Sequence, residues 1–96
     1  MSTPDPLDRA LHAIADPTRR RILQALKEHG PAAKTPRLCA GDIEARVHLS
    51  QSTISHHMAI LANAGLVETV KQAQWRWYRR NEPAIRQLLK TLRAKL

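Results

Sequence analysis

The stretch LSQSTISHHMAILANAGLV, Leu49 to Val67, decides the reading of this 96-residue chain. At about 3.6 residues per helical turn, Ile54, Met58, Leu61 and Gly65 fall on one side, and Ser52, His56, Ala59 and Asn63 on the other. Ser50 suits an N-cap, because its hydroxyl can accept from the backbone N–H of Ser52 or Thr53. Gly65 suits the left-handed residue that ends many helices. The pattern predicts a helix over Gln51 to Ala64. Its first two turns present Gln51, Ser52, Thr53, Ser55 and His56, hydrogen-bonding side chains without a formal charge. Gln pairs bidentately with adenine, Ser and Thr hydrogen-bond to any base, and the Thr methyl can meet a thymine methyl. The same face would also describe a solvated surface helix, so the flanking segments decide between them.

Upstream, DIEARV (Asp42 to Val47) is a short amphipathic helix, and His48, Leu49 and Ser50 make a three-residue turn: helix-turn-helix spacing. Downstream, Leu66 to Val70 alternates apolar and polar residues, Lys71 to Gln74 reads as a polar turn, and WRWYRR (Trp75 to Arg80) has strand character. A hairpin directly after a reader helix is a wing. Alternation places Trp75, Trp77 and Arg79 on one face and Arg76, Tyr78 and Arg80 on the other. With no Phe in the chain, a Trp is expected to pack against the reader helix rather than stack on a base.

With this order, the chain resembles the ArsR/SmtB-type winged-helix repressors. The strings that carry the resemblance are ADPTRRRILQAL (Ala15 to Leu26), DIEARVHLSQSTISHHMAILANAGLV (Asp42 to Val67) and WRWYRRN (Trp75 to Asn81), and the match runs from about Leu7 to Leu96. It implies a mainly α (α+β) winged helix-turn-helix of about five helices and a two-stranded wing, dimerising through its first and last helices. The expected single domain comprises a flexible 1–6, two helices in 7–29, the helix-turn-helix in 42–64, the wing in 66–80 and a dimerisation helix in 82–96.

The charge distribution agrees. The net +8 divides into +2 for residues 1–36, 0 for 37–66 and +6 for 67–96. A neutral reader beside a basic wing separates base reading from phosphate attraction. Lys71, Arg76, Arg79 and Arg80 are the candidate backbone contacts. If a dimer makes ~6–10 such contacts, its affinity falls about 10³- to 10⁵-fold between 50 and 200 mM salt. The partner expected is double-stranded DNA. No apolar run approaches the ~20 residues of a membrane span, and MSTPDPLDR lacks a signal-peptide pattern. A cytoplasmic protein is expected, consistent with a single cysteine.

A chain this short buries only about 60–65% of its unfolded surface, which favours pairing with a second copy. Leu7, Ala10, Leu11 and Ile14 follow helical spacing, and Ile85, Leu88, Leu89, Leu92 and Leu96 form an oily stripe near the other end. Leu7, Leu11, Ile14, Ile85, Leu88, Leu89 and Leu92 are therefore the expected dimer seam. Asp16-Pro17 opens a second helix to about His29. Its Arg19, Arg20 and Arg21 are read as facing water or neighbouring acids and are left outside the site.

Sensing chemistry is less legible. Where the resembled family carries a Cys-x-Cys-type motif, Leu38-Cys39-Ala40-Gly41-Asp42 has Gly41 in the second position. RQLLKTLRAKL has none of the Asp, His or Glu ligands of the family's terminal-helix site. No metal or cofactor is expected. Cys39 is a possible redox sensor, against the simpler reading of a packed thiol. His57 reads as a packed, hydrogen-bonded histidine, and Gly30 to Gly41 as a long surface connection.

The leading function is a sequence-specific DNA-binding transcriptional regulator, a homodimeric repressor on an inverted-repeat operator. The alternatives are a winged-helix protein-interaction module and a metal- or thiol-responsive repressor using Cys39. An enzyme is disfavoured, because neither a catalytic triad, a carboxylate pair nor a glycine-rich phosphate loop is visible.

Overall fold

A computed structural model describes residues 5–28 and 38–96, apart from the side chains of residues 28, 72 and 75. Of the expected flexible 1–6 and the expected surface connection Gly30 to Gly41, residues 1–4 and 30–37 lie outside the described residues; Pro6 already belongs to the first helix, capped by Asp5, and residues 38–41 form a short strand and the start of a helix rather than loop. The elements run α1 (Pro6–Ile14), α2 (Pro17–Glu28), β1 (Leu38–Cys39), α3 (Ala40–Val47), α4 (Gln51–Asn63), β2 (Val67–Gln72), β3 (Trp75–Arg80) and α5 (Glu82–Lys95).

Side-chain caps set most of the helix starts. Asp5 accepts from the Leu7 N–H at 2.8 Å, and Asp16 from those of Thr18 and Arg19 at 2.7 and 3.2 Å. A proline follows each of these aspartates, where its missing N–H removes nothing from the helix. Ser50 caps α4 by accepting from the Thr53 N–H at 3.4 Å. α4 ends in a Schellman turn: the Leu66 N–H donates to Leu61 O at 3.0 Å and the Gly65 N–H to Ala62 O at 2.9 Å. That closure needs a left-handed residue, and Gly65 supplies it with φ 78°.

Ile22, Leu26, Ile43, Ile54, Met58, Leu61 and Leu66 are fully buried, so α2, α3 and α4 converge on one core. Asn81 pins α5 to the end of the reader. Its amide donates to Gly65 O at 3.0 Å, its backbone N–H to Leu66 O at 2.9 Å, and its side-chain oxygen accepts from the Ala84 N–H.

The structure differs from expectation in three places. First, the sheet has three antiparallel strands in the order β1-β3-β2, because Leu38 and Cys39 pair with Tyr78 and Trp77. A two-residue strand is too short for alternation to reveal; the open edge of β3 recruits it. Second, β2 extends to Gln72, paired with Trp75, which leaves Ala73 and Gln74 as the turn. Ala73 sits at φ 56°, a position where Gly or Asn would have signalled the turn. Third, among the described side chains the fully packed aromatic is Tyr78, 4% exposed, and Trp77 on the opposite face is half-buried; the Trp75 side chain lies outside the described ones.

Candidate nucleic-acid interface

Gln51, Ser52, Thr53, Ser55 and His56 are all exposed on α4, while Ile54, Met58 and Leu61 are buried beneath them. The Ser50 hydroxyl lies 2.9 Å from that of Thr53 and 3.3 Å from that of Ser52. The first turn therefore presents an organised hydroxyl cluster.

Reader and wing meet in a cleft of about 330 Å³ lined by Gln51, Ser55, Lys71, Gln74 and Arg76, with Tyr78 and Ala40 as its walls. Lys71 and Arg76 are exposed cross-strand partners on the same face of the hairpin. No carboxylate among the described residues forms an ion pair with either. Like charges directly opposite one another weaken a hairpin, so this placement makes physical sense beside a polyanion.

Arg79 and Arg80 do not join this cleft. Arg79 lies on the opposite face and chelates Glu68 through Nε and Nη2 at 2.9 and 2.6 Å. Arg80 bonds Glu82 at 2.5 Å and Leu23 O at 3.2 Å, with its side chain only 14% exposed. Strand alternation correctly separates Arg79 from Arg76, but tertiary packing is what separates Arg80 from Arg76 on their shared face.

Behind the reader lies a network that periodicity does not reveal. Arg19 is 7% exposed. Its Nε donates to Ala13 O at 2.6 Å and its Nη2 to His12 O at 3.1 Å, while Nη1 lies 3.2 Å from His57 Nδ1. Arg20 donates to Ile14 O at 2.6 Å, and Arg21 to Val47 O at 3.3 Å. The triplet opens α2, where cations are unfavourable, yet its heads reach the carbonyl ends of α1 and α3, where they are favourable. One guanidinium thus ties α1 and α2 to the reader helix.

Burial pushes His57 below its ordinary range; the Asp16 charge opposes this, and those of Arg19 and His56 add to it. Its neutral Nδ1 can then accept from Arg19. Partial desolvation works against the ionised Asp16 carboxyl, but N–H donation from Arg19 and Thr18 and the nearby positive charges hold it below the usual range. The His56 and His57 rings meet edge to face, 5.6 Å apart.

On the far side, Leu7, Ile14, Ile85 and Leu92 are half-buried and Leu88 is buried, while Leu11 and Leu89 are 36% and 61% exposed. Ile14, Ile85, Leu88 and Leu89 share one groove, and Leu7 lines a second with Leu88. Cys39 is half-exposed, and its thiol donates to Asp42 Oδ2 at 3.0 Å. Among the described residues no three His, Cys, Asp or Glu side chains gather as a metal site.

A helix-turn-helix whose exposed reader is followed by a basic two-stranded wing defines the winged helix-turn-helix class. The model of the bacterial regulatory protein, arsR family, matches residues 16–69, and the chain belongs to that family. It is 35% identical over 78 residues to an HTH-type transcriptional regulator of Methanocaldococcus jannaschii, covering 81% of each protein. It is also 35% identical to the transcriptional repressor SdpR of Bacillus subtilis, covering 78% of this chain and 76% of the repressor. An ArsR-like transcriptional regulator from Rhodococcus sp. RHA1 superimposes with a TM-score of 0.74 at 29% identity, covering 93% of this chain and 77% of that one.

Proposed function

We propose that this chain is a homodimeric, sequence-specific repressor of transcription that binds an inverted-repeat operator in double-stranded DNA. The observation that carries the reading is the cleft in which the neutral reader face and the exposed Lys71–Arg76 cations converge. Gln51, Ser52, Thr53, Ser55 and His56 read base edges, while Lys71 and Arg76 hold the phosphate backbone. Arg79 can turn outward only by leaving Glu68, and Arg80 belongs to the packing of α2 against α5.

The exposed Leu11 and Leu89 on α1 and α5 support pairing with a second copy, and the family's repressor SdpR supports the direction of control. A two-fold dimer sets its readers about 34 Å apart, one helical turn of DNA. The protein acts by occupying DNA, with no catalytic step. Among the described residues no helix is long and apolar enough to cross a membrane, which is compatible with action in the cytoplasm.

Fluorescence anisotropy on the DNA upstream of the chain's own gene, against random duplex, tests the reading. Gln51→Ala or His56→Ala should cost about 1–3 kcal/mol on the operator and little on random DNA. Equal losses on both would remove base reading from α4.

A further inference from the structure

Beneath the exposed face of α4, His57 is half-buried on the side of the helix that carries Ile54 and Leu61. Its Nδ1 lies 3.2 Å from Nη1 of Arg19. A guanidinium carries only N–H donors and does not lose its proton in a protein, so this contact exists only while Nδ1 offers a lone pair. The ring is therefore neutral, with its proton on Nε2. A second proton makes both ring nitrogens donors and sets two like charges against each other.

The position of this contact carries the inference. Arg19 is the fixed member of the pair: Ala13 O holds its Nε at 2.6 Å and His12 O its Nη2 at 3.1 Å, and Asp16 Oδ2 lies 3.8 Å from Nη1. The charges acting on the His57 ring are those of Asp16 and Arg19, at the start of α2, and of His56 on its own helix. To this corner α1 supplies the two carbonyls that hold Arg19. Asp16 favours a protonated ring, while burial, Arg19 and His56 oppose it. On its other side the ring is tied to the reading face, because it meets that of His56 edge to face at 5.6 Å. His56 stands exposed there with Gln51, Ser52, Thr53 and Ser55. A proton on Nδ1 thus breaks the contact with α2 and disturbs, through the ring pair, a side chain of the reader.

We infer that His57 is a positioning residue of the reader: its bare Nδ1 on Arg19 seats α4 at the setting in which Gln51 to His56 meet base edges, and a proton there unseats the helix. The inference rests on the DNA-binding reading above. Its consequence runs against the usual direction. Side chains that gain positive charge as pH falls strengthen phosphate attraction on any sequence. The unseated reader instead loses operator affinity on acidification, while Lys71 and Arg76 keep their hold on random DNA. Acid therefore lowers discrimination between sequences rather than binding as such.

The test is the ratio of operator to random-duplex affinity, measured with the full chain at fixed ionic strength between about pH 8 and 5, with circular dichroism following the fold over the same range. In the wild type the ratio should fall on acidification, by up to about tenfold per pH unit for each protomer. His57→Gln offers Arg19 an oxygen that does not titrate, and should hold the ratio level. Nitrogen NMR of the ring needs no variant and decides the matter if His57→Gln does not fold. The DNA-free protein should show a bare Nδ1 at neutral pH, and operator DNA should lower the pH at which that atom takes up its proton more than random duplex does. A wild-type ratio independent of pH, an equal fall in a folded His57→Gln, or a protonated Nδ1 in the neutral ring would overturn the inference. If the wild type discriminates equally well at both ends of the range, only this inference fails; if it binds neither duplex at any pH, the DNA-binding reading fails and takes this one with it.

Discussion

Arg19 makes the strongest stability prediction. Its side chain is 8% exposed and serves Ala13 O, His12 O and His57 Nδ1, with Asp16 Oδ2 at 3.8 Å. Each hydrogen bond from a charged donor is worth about 1.5–3 kcal/mol, though bonds made by one side chain do not add. Removing one member of a buried charge network typically costs about 3–5 kcal/mol, because its partners are left unsatisfied. Arg19→Gln should therefore lose ~3–5 kcal/mol from a total of roughly 5–14 kcal/mol for a domain of this size. Arg19→Lys should lose nearly as much, since a lysine keeps the charge but cannot span two helix ends with a planar fork. Urea unfolding at one fixed protein concentration measures both, and a cycle with His57→Gln isolates the coupling between α2 and the reader, expected at about 0.5–3 kcal/mol. A loss below ~1 kcal/mol in Arg19→Gln, or a lysine variant as stable as the wild type, would refute the bridging role.

Stability should fall on acidification. His57, depressed in the folded chain, takes up a proton more readily when unfolded, so stability is complete above about 6.5 and declines as pH drops toward the folded value. Asp16, also depressed, adds a further loss below about 3.8. His57→Gln should flatten the first of these slopes in pH-dependent urea melts; an unaltered profile would assign it elsewhere. His48 ends α3 in the left-handed region at φ 57° and ψ 46° without being glycine. His48→Gly should relieve ~1–2 kcal/mol of strain against ~0.5–1 kcal/mol of entropy, a gain visible as a higher melting temperature. Leu89, 61% exposed in the single chain, should tolerate glutamate without unfolding. Leu89→Glu should nevertheless sediment as a monomer and weaken operator binding, and a stable dimer would move the seam away from α5.

The reader helix was legible in the sequence because its evidence is local. Ile54, Met58 and Leu61 repeat at helical spacing, Ser50 and Gly65 punctuate the ends, and burial on one face leaves Gln51, Ser52, Thr53, Ser55 and His56 on the other. The hairpin was legible in kind but not in detail. Ala73 occupies a positive-φ turn position without a turn-forming side chain, and Leu38–Cys39 become a strand only because β3 offers them an edge.

The basic residues divide along the same line. Composition places six net charges in the last third of the chain, yet composition does not say which of them can leave the protein surface. Lys71 and Arg76 face the reader cleft, whereas Glu68 holds Arg79 and Glu82 holds Arg80. Likewise, Arg19, Arg20 and Arg21 look misplaced at the start of α2 until the carbonyl ends of α1 and α3 come within reach of their side chains.

By itself the sequence determined the winged helix-turn-helix, its family and the exposed polar face of α4, since these follow from periodicity, caps and strings within a few residues of one another. Only the tertiary structure decided which cations are engaged by the fold and which stay exposed beside α4. A charge's role depends on the partner that packing brings to it, and that partner can lie as far away as His57 does from Arg19.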